Sequence, residues 1–185
     1  MSMGQSEVRA DEYRALFRDV YDDAVRFAMR RAEPDDADEA VAIAMAVAWR
    51  RFGDAPRSLD ARRAWVFGIV RKTLLNQRRG TVRRAALAVR VAEHVELAHR
   101  DDVSAVEIRA DLAAAWRSLS APQQEVLALA VFEQLDAGAA ARVLGILPGT
   151  YRVRLSRARK ALQAALADRP RPVVPARAPI RQEAS

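Results

Sequence analysis

The residues best placed to do chemistry in this chain are arginines, and the chemistry they suit is binding. Arg152, Arg154, Arg157 and Arg159 crowd one short stretch, and no acid stands anywhere from Ala137 to Ala167. A guanidinium is planar and always charged, so it grips phosphate and reads the edge of guanine. A second group comes earlier. Trp65, Ile69, Lys72, Asn76, Arg79 and Arg83 recur at steps of four and three, inside an acid-free run from Arg62 to Arg90. An aromatic ring beside cations suits an unpaired base held by its phosphates. Bond-making constellations are missing from the sequence. There is no cysteine, which excludes disulfides and thiolate metal sites. His94 and His99 have no clustered carboxylate beside them, so no metal site is expected. The Gly-containing stretch 144–150 lacks the Gly-Lys-Ser end of a phosphate loop. The expectation is a protein that is not an enzyme and carries no cofactor.

Charge and composition define the frame for these groups. The chain has 185 residues and a formal net charge of +7, and its only lysines are Lys72 and Lys160. Such a chain attracts polyanions, nucleic acid first and acidic membrane surfaces second. Acids gather in Asp11–Glu39 and again in Glu93–Asp111, each block preceding an acid-free basic one. That alternation suggests two DNA-facing modules and a connector. Met1–Ala10 has no secretory character, and the longest apolar run, Ala40–Trp49, is too short to span a bilayer. A cytoplasmic protein with no membrane partner is expected.

The elements that must position the arginines read as all-α. Alanine is abundant and there are only 7 glycines, a balance that favours helices. Leu16, Val20, Ala24 and Phe27 mark a helix over Asp11–Arg31. Glu33-Pro34-Asp35-Asp36 breaks it, with Asp35 or Asp36 as the next cap. Asp38–Phe52 follows, then a loop at Gly53–Pro56 and a long helix over Leu59–Arg84 with Val66, Phe67, Val70 and Leu74 as its core stripe. A partly helical linker is expected over 85–110 and a helix over Asp111–Leu119. Ser120 caps a helix that opens with Ala121-Pro122 and runs to about Glu133. Leu135–Leu144, a turn at Gly145, and Pro148–Ala167 then read as helix, turn and helix. Gly145 supplies the left-handed residue of that turn. Tyr151, Leu155, Ala158, Leu162 and Ala165 form the buried stripe of the second helix. The arginines fall off that stripe, as a helix entering the major groove requires, and backbone N–H groups near Thr150 are available to a phosphate. Pro170, Pro172, Pro175 and Pro179 mark a disordered tail. The domain expectation is two small helical domains, 8–84 and 111–168, joined by the linker 85–110 and followed by the tail 169–185.

Leu144-Gly145-Ile146-Leu147-Pro148-Gly149-Thr150-Tyr151-Arg152-Val153-Arg154-Leu155-Ser156-Arg157-Ala158-Arg159 resembles the region 4 signature of extracytoplasmic-function (ECF) sigma factors of bacterial RNA polymerase. Leu119–Leu127 resembles the segment that precedes it in that family. Ala64-Trp65-Val66-Phe67-Gly68-Ile69-Val70-Arg71-Lys72, with Arg78-Arg79, is similar to sigma region 2, as is Ala37–Trp49. The resemblance implies that Thr150, Arg152, Val153, Arg154 and Arg157 face a promoter −35 element. It implies that Trp65, Arg71, Lys72, Asn76, Arg79 and Arg83 engage and help open the −10 element. It further implies that Asp38, Glu39, Val41, Ala42, Met45 and Trp49 dock on core polymerase. The implied partners are the β′ clamp and β flap of the core enzyme, promoter DNA and an anti-sigma factor. The chain departs from the pattern in several places. Ala139-Ala140-Ala141 replaces Glu-Ile-Ala, which should thin the packing of the first helix of the turn. Tyr151 replaces a small aliphatic residue, Val153 a serine, Lys72 an asparagine, and Ala42-Ile43 a polar pair. Two other readings fit these departures: a stand-alone helix-turn-helix regulator with a degenerate region 2, and an interaction protein that titrates an anti-sigma factor.

Overall fold

The computed structural model describes residues 3–81 and 103–168. These form seven α-helices and no strand: α1 (Met3–Met29), α2 (Pro34–Arg50), α3 (Leu59–Thr81), α4 (Val103–Ser118), α5 (Ala121–Val131), α6 (Ala137–Leu144) and α7 (Pro148–Ala167). The expected tail 169–185 and linker residues 85–102 lie outside the described residues.

The first three helices pack on one another around Leu16, Val20 and Phe27 of α1, Val41 and Met45 of α2, and Val66, Phe67, Val70 and Leu74 of α3. The rings of Phe27 and Phe67 stack with centroids 4.6 Å apart. Every member of the expected α3 core stripe is buried, so helical periodicity placed this face correctly. The α1–α2 turn differs from the expectation. Glu33 is the N-cap residue of α2 and Pro34 its first helical residue, which leaves Asp35 and Asp36 in the first turn. Proline accounts for the shift: its fixed φ and missing N–H suit the first helical position. The two carboxylates then act on the positive end of the helix dipole instead of capping it.

In the second half, α4 extends back to Val103, well before the expected Asp111, so 103–110 belongs to a helix. The α4–α5 turn is held by Gln124, whose buried side-chain amide donates to the carbonyls of Trp116 (3.0 Å) and Leu119 (3.2 Å). At Ser120 the backbone N–H donates to Gln123 Oε1 at 2.8 Å, which closes a capping box. Helix α6 is seated between α3 and α7. Its Ala139, Ala140 and Ala141 are all buried. Small side chains thus form the buried face of α6 against its neighbours.

Candidate nucleic-acid interface

The helix-turn-helix is α6, the turn Gly145-Ile146-Leu147, and α7. Asp136 starts α6: its Oδ1 accepts from the Ala139 N–H at 2.7 Å. Gly145 ends it at φ +66°, ψ 37°. Ile146 N–H then bonds back to Ala141 O at 3.0 Å and Gly145 N–H to Arg142 O at 3.2 Å, the paired closure of a left-handed helix end. The turn thus fixes the angle at which α7 leaves.

Tyr151 fixes the rotation of α7 about its axis. It is among the most deeply buried large side chains, and its hydroxyl donates to Val126 O of α5 at 2.9 Å. Burial pushes its pKa up to about 12, with the nearby Arg159 charge pulling the other way. With Tyr151 and Ala158 buried and Leu155, Ala161 and Leu162 packed against the core, the opposite face is set outward. Arg152, Val153, Arg154 and Arg157 are exposed, as are Arg159 and Lys160. Thr150 is exposed in the first turn, beside Gly149. All five residues expected at the −35 contact therefore lie on open surface. The protruding arginines carry no acidic partner within their own helix, so their charge is available to a polyanion.

The second candidate surface is on α3. Trp65, Ile69, Lys72 and Asn76 line a groove of about 750 Å³ together with Arg142 and Leu144 of the helix-turn-helix. Lys72 and Asn76 are exposed, and Trp65 is half-buried against the core. Arg71 lines the same groove but points its guanidinium at Glu125 of α5, 3.4 Å away. The side chain of Arg79 and the whole of Arg83 lie outside the described residues. The expected polymerase-docking helix α2 divides by exposure. Asp38, Glu39, Ala42 and Trp49 are on the surface, while Val41 and Met45 sit in the core. Ile43, also exposed at 40%, joins Ala42 as an open apolar element of this helix. Glu39 is held by Gln77 of α3, whose amide donates to it at 3.1 Å.

One cluster was not found from the sequence. Arg31, fully buried, donates to Glu125 (3.3 Å) and Glu133 (3.1 Å), and Arg30 bonds Glu133 at 2.7 Å. These pairs join residues about a hundred positions apart. No local signal marks them, since a charged residue in one dimension reads as solvated.

Comparison with known proteins agrees with this geometry. Residues 109–162 match the family model described as Sigma-70, region 4, so the C-terminal domain is a sigma-70 region 4 domain. The sigma factor RpoE of Bartonella quintana, solved in complex with the anti-sigma factor NepR, is similar at 25% identity with a TM-score of 0.59. That likeness covers 85% of this chain and 99% of RpoE. CnrH, in complex with the cytosolic domain of CnrY, shares 24% identity over 89% of this chain and 88% of its own, with a TM-score of 0.49. No curated protein matches the sequence. The region 4 match over the C-terminal domain and the likeness to RpoE support a sigma factor of the ECF type. Among the described residues no helix is long and apolar enough to cross a membrane.

Proposed function

We propose that this protein binds core RNA polymerase and directs it to promoters, with α7 on the −35 element and the α3 surface on the −10 element. The observation that carries the reading is the region 4 helix-turn-helix with Arg152, Arg154 and Arg157 turned outward by the burial of Tyr151. An arginine front on a rigid helix suits the major groove, where phosphate contacts fix register and base edges give specificity. Trp65, Lys72 and Asn76, gathered in one groove, suit a strand separated from its partner. Asp38, Glu39, Ala42 and Trp49 offer the exposed part of α2 to the β′ clamp, and the region 4 domain docks on the β flap. RNA synthesis itself is the polymerase's chemistry, and the chain supplies recognition. An anti-sigma factor is the expected regulator, as RpoE of B. quintana was solved with one.

Gel filtration with bacterial core polymerase, followed by transcription of genomic fragments in vitro, tests the reading. Co-elution and discrete start sites are expected. DNA binding without co-elution would instead identify a stand-alone helix-turn-helix regulator. Failure to bind either core or DNA, with retained capture of an anti-sigma factor, would identify a titrating interaction protein.

A further inference from the structure

Val153 is an odd residue for the front of a DNA-facing helix. Its side chain can neither donate nor accept a hydrogen bond, yet it is 50% exposed and stands among arginines. The core does not call for it, because the rotation of α7 aims it outward. An α-helix turns about 100° per residue, so Val153 stands about 200° round from the buried Tyr151. It is therefore the centre of the outward face. Arg152 and Arg154 lie about 100° to either side of it, and Arg157 follows one turn later on the same face. Gly149 comes one turn before, and a Cβ there would meet no atom within 4 Å. Nothing inside the protein demands a glycine at that position. Its bare backbone leaves room for a molecule outside to come close.

The surrounding charge indicates what that molecule is. No acid stands anywhere in α7, so the face attracts a polyanion. When such a helix enters a major groove, its flanking arginines reach the phosphate walls and its central residue meets the base edges. Those edges offer donors, acceptors and, on thymine alone, a methyl group. Against a polar edge Val153 would displace water from a donor or acceptor and return no hydrogen bond. Against the methyl group there is nothing to lose. A β-branched side chain in a helix also keeps one preferred χ1 setting, so its two methyl groups are already aimed. The serine of the family pattern would make no such choice, since a hydroxyl bonds to several base edges.

We propose that Val153 is a specificity-determining residue that reads the C5 methyl group of a thymine in the upstream promoter element, with Arg152 and Arg154 fixing its register on the phosphates. The proposal rests on the reading of α7 as the −35 helix and names what the centre of that helix recognises.

The test uses the full chain bound to core polymerase and a duplex pool randomised over the upstream element. The selected duplexes are expected to share a thymine. Each thymine of the selected element is then replaced in turn by deoxyuridine, which removes the methyl group and keeps every hydrogen-bonding group. At one position the parent should lose about fourfold in affinity, the worth of one buried methyl-sized group. Val153→Ser should bind the thymine and deoxyuridine duplexes equally. Its slope of log affinity against log salt should match the parent's, because no phosphate contact is lost. A parent indifferent to every deoxyuridine, or a Val153→Ser variant as sensitive as the parent, overturns the methyl contact. Enrichment of no upstream sequence by a complex that does form overturns the −35 reading, and this one with it. Failure to bind core overturns the sigma-factor reading instead, and the same selection with the chain alone then judges the methyl contact.

Discussion

Tyr151 is where this chain departs most visibly from the family pattern it resembles, and the structure gives the departure a measurable role. Replacing Tyr151 with Phe removes one hydroxyl and leaves the ring. The lost bond runs from the hydroxyl to Val126 O at 2.9 Å in a buried site. That carbonyl lies inside α5, where its intrahelical partner remains, so the cost is one hydrogen bond, about 1 kcal/mol. Replacing Tyr151 with Val, the kind of residue the family carries, also removes the ring from a fully buried position and should cost about 3 kcal/mol. In urea, with a slope of about 2 kcal/mol per molar for a domain of this size, the midpoints should fall by about 0.5 M and about 1.5 M. The alkaline limb gives an independent check. The folded pKa of Tyr151 is raised to about 12 from an ordinary value of 10.0. The unfolded chain therefore releases its proton first, and the contribution is complete below pH 10 and lost as pH rises toward 12. Tyr13, also raised by burial, is present in both proteins, so the difference between parent and Tyr151→Phe isolates this one hydroxyl. The parent should lose more stability than the variant between pH 10 and 12. If Tyr151→Phe matches the parent in both urea midpoint and alkaline slope, the hydroxyl is not a buried donor and the account of how α7 is oriented fails.

Three further outcomes follow from the same helix-turn-helix. Gly145→Ala forces a side chain into φ +66° and should cost about 1–2 kcal/mol, read as a lowered melting temperature; an unchanged melting temperature would refute the turn geometry. Asp136→Ala removes the bond to the Ala139 N–H and should cost about 1 kcal/mol, measured by the same melt. Arg154→Ala should weaken duplex DNA binding and reduce the slope of log affinity against log salt by about one. An unaltered slope in a titration at several salt concentrations would remove Arg154 from the interface.

The sequence by itself determined the helices and the outward arginines. Periodicity is a local property, so Val66, Phe67, Val70 and Leu74 of α3 and Tyr151 and Ala158 of α7 were legible as buried, and Arg152, Arg154 and Arg157 as exposed. Gly145 was legible too, because few residues other than glycine take a left-handed turn without strain. Boundaries were less so: α4 begins at Val103, in a stretch whose weak apolar pattern read as linker. Glu33, not Asp35 or Asp36, occupies the N-cap position of α2 because proline claims the position after it. The alanines of α6 were read as a loss of packing, and only the fold shows them buried between α3 and α7. Val41 and Met45 fall in the core, while Ala42 and Trp49 stay outside, a division set by how α2 meets α1 and α3. Above all, the tertiary structure decided the fate of Arg30, Arg31, Arg71, Glu125 and Glu133. Whether a charge is solvated or buried against an opposite one depends on which distant segment lies beside it, and pairing across about a hundred residues leaves no trace in local spacing.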